Sequence, residues 1–113
     1  MNDNKILIFA RTTAYVTIMK RYVPAFRKAK VIKENGDLLS VNLNDFTICF
    51  IVIETIEDIY YCKKHLMQIQ YLFICSKHVH FFTLREDMYL FKPETLKFTM
   101  IKKINEVIEK IGN

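Results

Sequence analysis

A chain of 113 residues with 51% hydrophobic content, two Gly and two Pro has the makeup of one folded domain and excludes a disordered or collagen-like chain. A domain of this size buries roughly 65% of its unfolded-state surface, enough for one core without disulfide staples. The net charge of +5 is compatible with acidic partners, nucleic acid or a membrane surface and selects none of them.

Cys49, Cys62 and Cys75 are odd in number and scattered, and two of them lie inside apolar runs, which points to a reducing compartment. The opening MNDNKILIFARTT has one Lys before a brief apolar stretch that Arg11 ends, with no small-residue cleavage pattern, so a secretory signal is not expected. The apolar run Ile48 to Ile53 is too short to span a bilayer. The expected location is the cytoplasm, without membrane association.

Lys5 to Ala10 (KILIFA) is almost continuously apolar, as a strand buried on both faces would be. Thr12 and Thr13 are N-cap candidates for a helix with Tyr15, Ile18, Met19 and Tyr22 on one face, ended or kinked by Pro24. Lys30 to Lys33 reads as a short second strand, and Asn35-Gly36 as a turn. Thr47 to Ile53 (TICFIVI) is β-branched and aromatic with no polar alternation and belongs in the centre of its sheet; Glu54 closes it.

Ile56, Ile59, Tyr60, Leu66 and Met67 then recur at helical spacing, with Glu57, Lys63 and Lys64 on the other side. Tyr71 to Cys75 (YLFIC) and Met88 to Phe91 (MYLF) are further strands, and Lys77 to Asp87 between them fits either a short helix or an extended piece. From Pro93, which suits a first helical turn, Leu96, Met100, Ile101, Ile104, Val107, Ile108 and Ile111 form one apolar stripe, with Gly112 as a stop. Lys97, Lys102, Lys103, Glu106, Glu109 and Lys110 are left to water. Apolar strands alternating with helices predict a single domain over residues 1–113. Its fold class is α/β: a three-layer, five-stranded parallel sheet with helices on both faces.

Tyr89-Leu90-Phe91-Lys92-Pro93 resembles the end of the fifth strand of a response-regulator receiver domain, where an aromatic, two apolar residues, Lys and Pro recur. Phe73-Ile74-Cys75-Ser76 resembles that family's fourth strand and terminal hydroxyl residue, Asn35-Gly36 the turn after its second strand, and Lys5 to Phe9 its opening strand. The resemblance covers nearly the whole chain, with shorter segments after the third and fourth strands.

The receiver family holds Mg²⁺ with two acidic residues after the first strand and accepts a phosphoryl group on an Asp after the third. The resemblance places Ala10 and Arg11 on the acidic pair, Glu54 on the acceptor, and Ser76 and Lys92 on the retained hydroxyl and Lys positions. Mg²⁺ needs hard oxygen ligands and phosphoryl transfer needs the metal, so the resemblance implies a degenerate pocket that is not phosphorylated. Glu54 then stands either as a mimic of the phosphorylated state, paired with Lys92 or Arg11, or as a structural carboxylate. Ser76 and Tyr89 correspond to the pair that couples the family's acceptor site to the face of its fourth helix, fifth strand and fifth helix. The implied role is a pseudo-receiver module acting by protein–protein interaction, with a partner or a second copy docking on that face. Tyr89, Phe91, Lys97 and Lys102 are its candidate residues. Since the chain ends at Asn113, output is expected to travel through contacts.

Cys62-x-x-His65 and His78-x-His80 make a Zn²⁺ site conceivable, but the spacing fits no familiar finger, and ordinary half-buried residues are the default. Lys20, Arg21, Arg27, Lys28, Lys30 and Lys33, interleaved with Tyr22 and Phe26, form the densest basic cluster and supply the rival reading, a small basic nucleic-acid-binding protein of α+β type. Hairpins over Lys30 to Val41 and Val79 to Phe91 would accompany that rival. No Gly-rich phosphate loop, nucleophile elbow or dinucleotide fingerprint is present, so neither an enzyme nor a cofactor is expected.

Overall fold

The computed structural model describes residues 5–34, 41–78, 80, 82–95 and 97–112. Five strands, β1 (Ile6–Phe9), β2 (Lys30–Ile32), β3 (Ile48–Val52), β4 (Tyr71–Cys75) and β5 (Met88–Phe91), form one sheet in the order β2-β1-β3-β4-β5. Every neighbouring pair is parallel, with Leu7 opposite Lys30 and Cys49, and Phe73 opposite Phe50 and Tyr89. Parallel strands need covered faces, which is why β1 and β3 are apolar at every position and buried throughout. The hairpins expected of an α+β chain are absent from these pairings. The Asn35-Gly36 turn lies outside the described residues.

Alternate strand positions serve two cores. Ile6, Ile8, Ile48, Phe50 and Phe73 face a layer made by α1 (Thr13–Tyr22), the 3₁₀ turn Pro24–Phe26 and α3 (Lys97–Gly112), which contribute Met19, Phe26 and Ile104. Leu7, Phe9, Cys49, Ile51 and Ile74 face the opposite layer, where α2 (Ile56–Tyr61) and the π-helical turn Cys62–Leu66 bring Ile59, Cys62 and Leu66. The fold is therefore the expected three-layer α/β sheet with helices on both faces, in the flavodoxin-like strand order. Among the described residues it has three α-helices, and between β4 and β5 none. No helix among them is long and apolar enough to cross a membrane.

Three local expectations are corrected. Ile56 and Tyr60 are 76% and 57% exposed instead of facing the core. The inward positions are Ile59, Cys62 and Leu66, an i, i+3, i+7 set that runs along one face from α2 into the π-helical turn. Pro93 sits in a turn, where the Thr95 amide donates to the Lys92 carbonyl at 2.9 Å, and not in α3, which is described from Lys97; Leu96 lies outside the described residues. The hairpin that the rival α+β reading puts around Arg85-Glu86-Asp87 is not what the pairings show, since β5 runs parallel to β4, and the Arg85 guanidinium donates to the carbonyls of Met67 (2.8 Å) and Ile69 (2.5 Å) beyond the π-helical turn. Asp87 takes a left-handed backbone (φ 68°), which Asp tolerates better than most residues, and its carbonyl receives the Leu72 amide at 3.0 Å.

Phe50 is fully buried in the central strand, so Phe50→Ala should lower unfolding free energy by about 3–5 kcal/mol. Ile56→Ala should change it by less than about 0.5 kcal/mol. Urea denaturation of both variants checks the assignment of faces, and similar losses in the two would contradict it.

Candidate functional site

In a parallel sheet of this order the connections leave β1 and β3 in opposite directions, opening a crevice beyond their carboxyl ends where α/β proteins bind ligands. Ala10 extends β1, fully buried, with its amide on the Ile32 carbonyl at 3.1 Å. Arg11 and Thr12 follow on one side of the crevice; Glu54, Thr55 and α2 follow β3 on the other.

Two side-chain links cross this gap. Arg11 Nη2 meets Asp58 Oδ1 at 2.5 Å, an ion pair between residues on different connections. The Thr12 hydroxyl donates to Glu54 Oε1 at 2.6 Å. Asp58 itself is fully buried, and its second oxygen, Oδ2, accepts the backbone amides of Glu54 (2.9 Å) and Thr55 (3.1 Å). Thr55 completes a capping box, its hydroxyl accepting the Asp58 amide at 3.2 Å. Burial pushes the Asp58 carboxyl up, but the Arg11 hydrogen bond, the two backbone amides and the Arg11 charge outweigh it and hold the group below the usual carboxylate range. The Arg11 guanidinium is correspondingly raised, first by its hydrogen bond to Asp58.

The expected pocket residues thus gather at one edge of the sheet, but with other partners than expected. Glu54 is bonded to Thr12 and Arg11 to Asp58. Lys92 is exposed and forms no ion pair among the described residues. Ser76 is fully buried, its hydroxyl accepting the His78 amide at 2.9 Å. The residues present do not fit Mg²⁺, because a methyl group and a guanidinium stand where oxygen ligands are needed. Both oxygens of the nearby buried carboxylate, Asp58, are already engaged.

Beside the crevice lies a cavity of about 370 Å³ whose lining includes Tyr15, Glu54, Cys75, Lys77 and His78. Burial raises the Tyr15 hydroxyl to about 12, with Cys75 adding to it, and burial also raises the Cys75 thiol, whose Sγ donates to Tyr15 Oη at 3.9 Å. A thiol kept protonated in this way is a poor nucleophile.

On the expected interaction face, Tyr89 is half-buried and stacks on Phe73 at 5.3 Å between ring centroids, with the Lys103 ammonium 5.6 Å from its own. Burial raises the Tyr89 hydroxyl above its ordinary value, and the charges of Asp87, Tyr71 and Glu86 add to this. Phe91 is buried and Lys102 exposed, while Lys97 reaches across to lie 5.0 Å over the Tyr15 ring. Cys62 is sealed in the core with its thiol raised to about 12 by burial, His65 stacks on Tyr61, and His78 and His80 lie edge to face. No group of three or more His, Cys, Asp or Glu able to hold a metal exists among the described residues.

Sequence reasoning sees Asp58 only as half of the adjacent acidic pair Glu57-Asp58, whose helix positions do not converge on one point, and does not place it in the site. The signal was present, because Thr55-x-x-Asp58 before an apolar position is a capping-box pattern.

Because the folded Asp58 carboxyl titrates below its unfolded value of about 3.9, its contribution is complete above that value and fades as pH falls towards the folded one. Asp58→Asn should therefore cost about 2 kcal/mol at neutral pH, a figure kept low because Arg11 is partly open to water. The gap between the two proteins should narrow below about pH 4 in acid-unfolding curves; a gap that widens with acid would contradict the assignment. No protein-family model, no curated protein and no solved structure matches the chain.

Proposed function

We propose that this chain is a receiver-like module in which an internal ion pair has replaced phosphoryl chemistry, and that it works by binding another protein or a second copy of itself. The single observation that carries this reading is the Arg11–Asp58 pair laid across the crevice. The site that would need metal and substrate access is spanned by the protein's own side chains. The strand order and the Tyr89-to-Pro93 motif at the end of β5 support the receiver likeness. Glu54 holds the loop after β1 through Thr12, which favours one fixed arrangement of that loop over a switching one.

The binding face follows from the sheet. β5 is an edge strand, so one side of its backbone is unpaired, and Tyr89 and Leu90 are half-exposed there. Lys103 of α3 lies over the Tyr89 ring, next in sequence to the exposed Lys102. A half-buried Tyr is a common anchor of a protein interface, and lysines suit its polar rim. The rival nucleic-acid reading rests on the basic cluster, on a similar α/β or an α+β scaffold; the hairpins that would accompany the α+β form are not among the pairings of the parallel sheet, which favours the receiver-like reading.

Incubation with acetyl phosphate and Mg²⁺ should leave the intact mass unchanged, and an acyl phosphate on Glu54 would overturn the proposal. Light scattering and co-purification should show a self-associated or partner-bound protein that is lost in Tyr89→Ala/Lys102→Glu. Retention of the complex in that variant would remove the face from consideration.

A further inference from the structure

At the opposite edge of the sheet, below the amino-terminal ends of β1, β2 and β3, a groove of about 720 Å³ is rimmed by Lys5, Arg27, Lys28 and Lys30 and floored by apolar side chains including Phe46 and Ile108. The fold brings these cations together from two stretches of chain. Phe26 is fully buried against the central strand, 6.2 Å from Phe50, and pins the turn that exposes Arg27 and Lys28. The chain then enters β2 at Lys30, whose register partner Leu7 lies just beyond Lys5.

All four cations are exposed, and none forms an ion pair among the described residues. No described carboxylate lines the groove. Like charges around an apolar floor repel one another and select a negative occupant that also carries apolar groups.

Two macromolecules have that chemistry, and the aromatic placement separates them. Single-stranded nucleic acid draws much of its affinity from bases stacked on successive exposed rings. Here Phe26 is sealed in the core, Tyr22 and Phe98 are exposed but pair with each other and do not line the groove, and half-buried Phe46 is the groove's sole described aromatic. We propose that the groove docks an acidic peptide segment of a partner protein, with aliphatic side chains between its carboxylates. The carboxylates meet the basic rim, and the aliphatic groups cover the floor near Ile108. The groove is separate from the β5 face and does not depend on the receiver reading.

Fluorescence anisotropy of the full chain with a labelled peptide of alternating Glu and Leu tests this. Binding should be saturable, should weaken with added salt, and should fall about tenfold or more in Arg27→Glu/Lys28→Glu. Replacing Leu by Ala in the peptide should also weaken it. Amide shifts on the wild-type protein should centre on Phe46 and Ile108, which keeps the test valid whatever the folding of the variant. Absence of saturable binding, shifts centred elsewhere, or undiminished binding by the variant would overturn the proposal. Tighter binding of oligothymidylate than of the peptide would also overturn it, assigning the groove to nucleic acid.

Discussion

The carboxylate of Asp58 is taken wholly out of water, and everything at the carboxyl edge of the sheet is arranged around keeping it charged there. A buried carboxylate without partners would cost several kcal/mol or take up a proton. Asp58 has three partners: the Arg11 guanidinium from the loop after β1, and the amides of Glu54 and Thr55 from the loop after β3. Meeting that requirement fixes both loops and the start of α2 relative to each other. It also occupies the position where an open α/β sheet would accept a ligand.

The two edges of the sheet consequently differ in chemistry. At the carboxyl edge Arg11 is matched with Asp58 and Glu54 is taken up by Thr12, while Lys92 stays exposed. At the amino edge Lys5, Arg27, Lys28 and Lys30 stand around an apolar groove without carboxylates among its described lining. Part of the molecule's positive charge is therefore gathered at one edge of the sheet, and the two edges have different capacities for partners. The half-exposed β5 edge, with Tyr89 held between Phe73 and Lys103, is a third and distinct surface.

The sheet was legible in the sequence because its inner strands are buried on both faces and are short, unbroken apolar runs. KILIFA, TICFIVI, YLFIC and MYLF each contain a strand, and the most apolar of them lies at the centre. Helix faces were less legible where two apolar sets both fit helical spacing. After β3 the set Ile59, Cys62 and Leu66 turned inward, leaving Ile56 and Tyr60 to water, and spacing alone does not choose between them. The site was half legible. Its location at the carboxyl ends of β1 and β3 followed from the strand ends. The pairing did not, because Arg11 and Asp58 lie on different connections and sequence patterns report neighbours, not contacts made by folding. Thr55-x-x-Asp58 announced a helix cap but not the ion pair built on it, and Arg85 carried no pattern that would have revealed its reach to the Met67 and Ile69 carbonyls.

If Arg11 and Asp58 form the tie on which the closed crevice rests, their effects on stability must be coupled. A double-mutant cycle with Arg11→Ala and Asp58→Asn, measured by urea unfolding at neutral pH, reads that coupling directly. The predicted interaction energy is about 1–2 kcal/mol, below that of a fully buried pair because Arg11 is partly solvated. Additive losses, with a coupling under about 0.3 kcal/mol, would mean the two side chains do not depend on each other and the crevice is not held shut by this pair.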